Sequence, residues 1–276
     1  MKTIISPTDY SVASLNAVNY AADLALATGS NLLLVHIFQI PTVYGEIPVA
    51  ADSIDEQVKS AEALIKSIAT QVTQRTGDKL TVNTDVTVGG DIVTEIAGYC
   101  RANETSFVVM GSQGGGAMAR ALFGSNTITA MKKLQWPLIV VPPQATFKKP
   151  SRIGFACDFK NVVDTTPVQE VRSLVSIFKP ELHVIHINTD DETNYPPEII
   201  EESGLLQEMF DEFHPVYHFM NNVKVDDGLS DYAEKHNLDL LIVIPKKHSF
   251  IDKLFHKSHT KQLIVHTHVP VLSIHE

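Results

Sequence analysis

NLLLVHIF, residues 31–38, is an apolar run broken only by His36. It is too short for a typical helix and reads as a strand covered on both faces, the kind found in parallel sheets. A second copy, ELHVIHIN, occupies residues 181–188 and sets His186 where His36 stands. Working outward, KTIISPTDYS (2–11) matches SRIGFACDFK (151–160), each a short apolar strand ending in an aspartate, Asp9 or Asp158. SFVVMG (106–111) then matches DLLIVIP (239–245), and WPLIVVP (136–142) matches VPVLSIH (269–275). Order and spacing persist, so the chain reads as a duplication joined at PPQATFKKPS (142–151), with domains at 1–145 and 150–276.

Between these strands lie helical patterns. Leu15, Val18, Ala22 and Ala25 form one stripe, with Gly29 placed as a C-cap. Val58, Ala61, Ile65, Ile68 and Val72 form a second stripe, closed by Gly77. TVNTDVTV (81–88) alternates as an edge strand does, and a third helix is expected over about 92–102. Strand–helix alternation predicts α/β architecture: two tandem domains, each a mostly parallel five-stranded sheet with helices on both faces. In such sheets ligands bind beyond the carboxyl ends of the strands, where strand order reverses. Asp9 and the glycine-rich segment after SFVVM belong at that same edge.

Composition bounds the function. With 276 residues, 44% hydrophobic and 20% charged, the chain can bury two ordinary cores. No apolar run approaches the ~20 residues of a membrane span, and MKTIISPTDYS lacks the apolar length of a signal peptide. Cys100 and Cys157 form no disulfide framework and are expected as small buried hydrophobes, consistent with a cytoplasmic location. A net charge of −10 argues against a nucleic-acid backbone as the main partner.

MGSQGGGAMARALFGSN, residues 110–126, holds five of the fourteen glycines. It contains no G-x-x-x-x-G-K-[ST] string, and G-x-G-x-x-G/A fits Gly114, Gly116 and Ala119 only weakly, after a late strand and without the acidic residue such sites use. The pattern that does fit is Gly111-x-x-Gly114, nine residues, then Gly124-Ser125. Bare glycine backbone exposes N–H donors, and a helix opening at Ser125 adds a positive dipole end, so the two clusters suit a chain of phosphates.

With that spacing, SPTDYS at 6–11 and the LLVHI strand, the sequence resembles the universal stress protein family in its ATP-binding branch. The resemblance implies tandem flavodoxin/HUP-like domains packed as an intramolecular pseudo-dimer, with the last strands of the two halves pairing; a further homodimer is compatible with it. It implies ATP or AMP as ligand, with Mg²⁺ on the phosphates, and a regulatory or stress-response module with at most slow hydrolysis, acting on a protein partner the sequence does not name. By the resemblance Pro7, Thr8 and Asp9 meet the adenine, and Ile37 offers its backbone to the base. Met110, Gly111, Gln113 and Gly114 line the ribose and phosphates, and Gly124, Ser125 and Asn126 hold the phosphate tail. One departure is Gly115, where family loops often carry a basic residue; Arg120 is the nearby substitute.

In the second half the same alignment places Pro245, His248 and Ser258-His259 at the glycine and serine positions, so that domain is not expected to bind ATP in the family manner. Eleven of the twelve histidines lie after residue 150, but Pro215 argues against a helix bringing His214 and His218 together, and no metal site is assigned. Two other classes stand beside the leading reading. One is a nucleotide-using enzyme of related architecture, for which neither H-x-G-H nor S-G-G-x-D-S is present; the other is an interaction module with no bound nucleotide.

Overall fold

The computed structural model describes residues 1–39, 51–112, 124–189, 195–222, 224–245 and 268–275. The chain divides into two compact units, Met1–Trp136 and Pro137–Glu276.

The first unit runs β1 (Thr3–Pro7), α1 (Val12–Thr28), β2 (Asn31–Gln39), α2 (Ala51–Arg75), β3 (Val82–Gly89), α3 (Ile92–Ala102), β4 (Thr105–Gly111) and α4 (Ser125–Lys133). Its strands are parallel in the order β3-β2-β1-β4. Three helix boundaries have a clear local cause. Ser11 caps α1 by accepting from the Ser14 N–H, and Gly29 ends it at φ +64°, a conformation that costs a side chain and not glycine. Asp91 caps α3 through the Thr94 N–H. Val18, Ala22 and Ala25 of α1 are buried, as are Ala61, Ile65, Ile68 and Val72 of α2, so both stripes face the core. In β2, Leu32 and Leu34 are fully buried while Leu33 and His36 are half-buried; one face of the strand is less covered than its apolar run implies.

The second unit contains β5 (Leu138–Val141), β6 (Arg152–Ala156), α5 (Val162–Thr165), α6 (Val168–Phe178), β7 (Glu181–Asn188), α7 (Pro197–Phe210), β8 (Val216–Asn221), α8 (Val225–Lys235), β9 (Leu240–Val243) and β10 (Val271–Ser273). Strand order is β5-β10-β9-β6-β7-β8, parallel except for β5 against β10. β5 ends the first repeat in sequence, yet it clusters here because Leu138–Val140 pair antiparallel with Val271–Ser273. That is the strand pairing the family resemblance implies. The counterpart of α1 is split into α5 and α6, with Pro167 at the N-cap of α6, since proline disfavours helix in the residue before it and supplies no N–H. Among the described residues no helix is long and apolar enough to cross a membrane. Cys100 and Cys157 are free and buried, and burial pushes the Cys100 thiol up to about 12.

Candidate functional site

In the first unit, strand order reverses between β1 and β4. The chain leaves β1 toward β2 on one side, while β4 fills the other, and the diverging connections leave a crevice. A cavity enclosing about 560 Å³, open solvent at its mouth included, lies there. Pro7, Thr8 and Asp9 line it from the end of β1, Ile37 from β2, Met110 and Gly111 from the end of β4, and Gly124 and Asn126 from the start of α4. Eight of the eleven residues expected at a ligand site therefore share one cavity. Ser125 is exposed and does not line it, and Gln113 and Gly114, like Gly115, Gly116 and Arg120, lie outside the described residues. Ser14, His36, Ile92 and Thr127 line the cavity as well and were not expected. Their signal in sequence is faint: Ser14 and Ile92 reach the cavity from α1 and α3, while His36 and Thr127 read as ordinary strand and helix positions beside Ile37 and Asn126.

The turn after β1 is held by a dense hydrogen-bond set. Asp9 Oδ1 accepts from the Ser11 N–H at 3.0 Å, closing a small turn. Tyr10 sits at φ +65°, a strained conformation for a bulky residue. Its N–H donates to Thr8 Oγ1 at 3.1 Å, and its hydroxyl donates to the Ala61 carbonyl at 3.0 Å. Burial raises that phenol to about 12, so it stays a donor. The Tyr10 ring stacks on His36 with centroids 4.4 Å apart, and His36 Nδ1 lies 2.8 Å from the Thr8 carbonyl.

Gly111 has a cause the sequence does not reveal. A Cβ there would stand 2.8 Å from the Ala13 carbonyl oxygen and 3.0 Å from its carbon, both backbone atoms of α1. The glycine is needed so that α1 can lie against the end of β4, whether or not a ligand approaches. At the far side, Thr127 Oγ1 donates to the Gly111 carbonyl at 2.9 Å and is 3% exposed, tying α4 to β4. Gly124 is the N-cap of α4 and no side chain caps that helix. Thr127→Val should cost about 1–3 kcal/mol by orphaning a buried carbonyl, measured by urea unfolding, whereas Thr127→Ser should retain most of the stability.

The second unit repeats part of this arrangement. Phe159 takes Tyr10's place at φ +49°, Asp158 Oδ1 accepts from the Lys160 N–H at 3.3 Å, and His186 Nδ1 lies 3.0 Å from the Cys157 carbonyl. The surroundings differ. In the two registers His36 pairs with Val86 and His186 with Phe219, so an aromatic ring replaces valine. Phe159 stacks on Phe219 at 5.5 Å and on Tyr217 at 6.3 Å, and Tyr195 packs on Phe219 at 5.0 Å. Phe159 is 2% exposed, its surroundings filled by these rings. His214 ends a short 3₁₀ turn (Asp211–Phe213) and His218 lies on β8, so the two share no helix. Among the described residues no group of three or more histidines, cysteines and carboxylates could hold a metal ion. Lys246, Lys247, His248, His256, Ser258, His259 and His266 lie outside the described residues.

A parallel α/β unit met twice in one chain, with a crevice at the switch point of the first, defines the class to which this protein belongs. The model of the universal stress protein family matches residues 1–142 and 173–275, and the chain is a member of that family. Among solved structures it is similar to a universal stress protein from Archaeoglobus fulgidus DSM 4304, with 18% identity over 99% of this chain and 96% of that one, and a TM-score of 0.72. It is similar also to a functionally unknown protein from Pseudomonas aeruginosa PAO1, at 12% identity, 100% and 92% coverage and a TM-score of 0.59. At these identities the likeness establishes the fold. A comparison with curated proteins returned no match.

Proposed function

We propose that the first unit binds an adenine nucleotide, ATP or AMP, and that the protein is a ligand-responsive universal stress protein. The observation that carries this reading is the cavity at the switch point, where the end of β1, the end of β4 and the N-terminus of α4 converge. β2 runs past its last β1 partner, Val35, so the main-chain edge of Ile37 that would meet β1 borders the cavity instead. That edge offers an N–H and a C=O to a base. At the other end α4 begins at Gly124 with no side-chain cap, and the Thr127 N–H bonds the Gly124 carbonyl, so the Ser125 and Asn126 N–H groups and the dipole are what the helix start offers an anion. Phosphates would meet Gly124, Ser125 and Asn126, with Mg²⁺ balancing their charge, and the base would lie against Pro7, Thr8, Asp9 and Ile37.

The second unit, in this reading, does not take ATP in the family manner. Phe159, Tyr217 and Phe219 stack where the first unit has Tyr10, Thr84 and Val86, and the glycine and serine spacing of the first unit is missing from the second. In this reading the first unit alone gains stability from the nucleotide by mass action.

Nucleotide released from the purified, denatured protein and identified by mass spectrometry tests the reading directly. With ligand-free protein, ATP or AMP at a hundred times Kd should stabilise the first unit by about 2.7 kcal/mol, seen as a rise in Tm of several degrees. No nucleotide released and no thermal shift with ATP, ADP or AMP, with or without Mg²⁺, would exclude it.

A further inference from the structure

The side-chain protons at the β1–β2 end of the cavity are committed within the turn that builds it. Ser14 Oγ lies 3.0 Å from the Ser11 carbonyl, which only accepts, so the Ser14 hydroxyl is the donor. Its one proton is thereby used. Thr8 Oγ1, 3.0 Å from Ser14 Oγ, must then donate to it, while accepting from the Tyr10 N–H. A directed chain results, running Tyr10 N–H to Thr8 to Ser14 to the Ser11 carbonyl. His36 is fixed by the same logic. Nδ1 is 2.8 Å from the Thr8 carbonyl and therefore carries the proton, so in the neutral ring Nε2 is a bare lone pair. The stack on Tyr10 holds that orientation. Asp9, as a carboxylate, has no proton to give.

Thr8, Ser14, His36 and Asp9 all line the cavity, and with these protons used their side chains can offer a ligand only acceptors. The main-chain edge of Ile37 adds one N–H. Such a surface suits a heterocycle edge that carries an amino group beside a ring nitrogen. It is mismatched to an edge that carries a carbonyl beside a ring N–H, because a carbonyl oxygen there meets lone pairs.

We propose, resting on the nucleotide reading, that His36 is a specificity-determining residue. Locked in the Nδ1–H form by Thr8, it presents Nε2 as an acceptor for the exocyclic amino group of the base, and so excludes 6-oxo purines. Thr8 is a positioning residue that acts through this lock by its main-chain carbonyl.

The test compares AMP with IMP, which differ by amino against oxo at that one position, on the full chain by calorimetry. Wild type should bind AMP about tenfold or more tightly than IMP. His36→Phe keeps a ring on Tyr10 and removes the acceptor; the preference should fall to within about threefold, chiefly through weaker AMP binding. The imidazole ¹⁵N signals of the wild type give a readout independent of folding in the variant. In the neutral ring Nε2 should be the unprotonated nitrogen, and its signal should shift on adding AMP but not IMP. Equal binding of AMP and IMP by the wild type, or a protonated Nε2 in the neutral ring, overturns the role of His36 while the nucleotide reading stands. Binding of neither overturns the nucleotide reading itself, and the two failures are told apart by the wild-type data alone.

Discussion

Gly111→Ala should lose about 1–3 kcal/mol of first-unit stability, although it adds only one methyl group at the rim of a cavity. The new carbon would stand 2.8 Å from the Ala13 carbonyl oxygen, closer than real Cβ atoms come to any atom. Its obstacle is helix backbone, which cannot turn aside as a flexible side chain can. Either α1 shifts away from β4 or β4 is displaced, and both movements widen a core in which Ala17, Val18 and Ala21 are 0–1% exposed. Gly111→Val, with two further methyls, should be worse and is expected to leave the unit largely unfolded at 37 °C. Urea unfolding followed by circular dichroism measures the change. An alanine variant as stable as wild type would show that α1 tolerates the approach, and the glycine would then have to be explained by the ligand alone. Because the loss precedes ligand binding, weak nucleotide affinity in a Gly111 variant is not evidence that Gly111 touches a nucleotide.

Acid should destabilise the second unit selectively. His183, on β7, is 5% exposed and stacks on His218 of β8 with centroids 5.2 Å apart and planes 10° from parallel. His236, at the end of α8, packs on both rings, and Tyr232 stacks on His236 while its hydroxyl lies 2.7 Å from His183 Nδ1. Desolvation holds both His183 and His218 below the ordinary imidazole value. Each also feels His236, and His218 feels His183; Arg152 adds to the repulsion at His183, and Glu181 alone opposes it. His186, beneath Phe219, is lowered by burial too, with its bond to the Cys157 carbonyl and the charge of Asp158 working against the shift and Lys160 with it.

The unfolded chain takes up these protons near pH 6.5 while the folded chain does not. Stability is therefore fully present above that pH and falls as pH drops toward the folded-state values. Each lowered histidine contributes a loss of up to about 1.4 kcal/mol per pH unit within its window. Urea unfolding at pH 7.5 and 5.5, with hydrogen exchange to resolve the units, should show the second unit weakening more than the first. His218→Phe preserves a ring against His183 and should flatten the slope. An unchanged slope would remove His218 from the account.

Much of the fold was legible because local rules and packing agree. α3 spans the segment its pattern predicts, Gly29 and Gly77 end α1 and α2 at positive φ, and the order of elements repeats as the paired strands require. The candidate site was legible at its chain-local parts. Pro7, Thr8 and Asp9 follow one strand, and Met110 and Gly111 end another, so knowing the strands is enough to place them at one edge. Ser14, His36, Ile92 and Thr127 were not legible, since periodicity marks them only as ordinary helix or strand positions and only the packing of α1, β2, α3 and α4 brings them to one cavity.

Sequence alone determined the architecture and the duplication, because hydrophobic spacing and turn residues are local properties that a chain carries without its partners. It also determined which half kept the glycine spacing. Tertiary structure decided what individual residues are for. Gly111 became a packing necessity because α1 crosses it from a hundred residues away, and Thr8, Ser14 and His36 became one hydrogen-bonded unit because β2 lies beside β1. The second repeat's interior became an aromatic stack because Phe219 stands opposite His186. These meanings come from distances between residues far apart in the chain, which no stretch of sequence holds by itself.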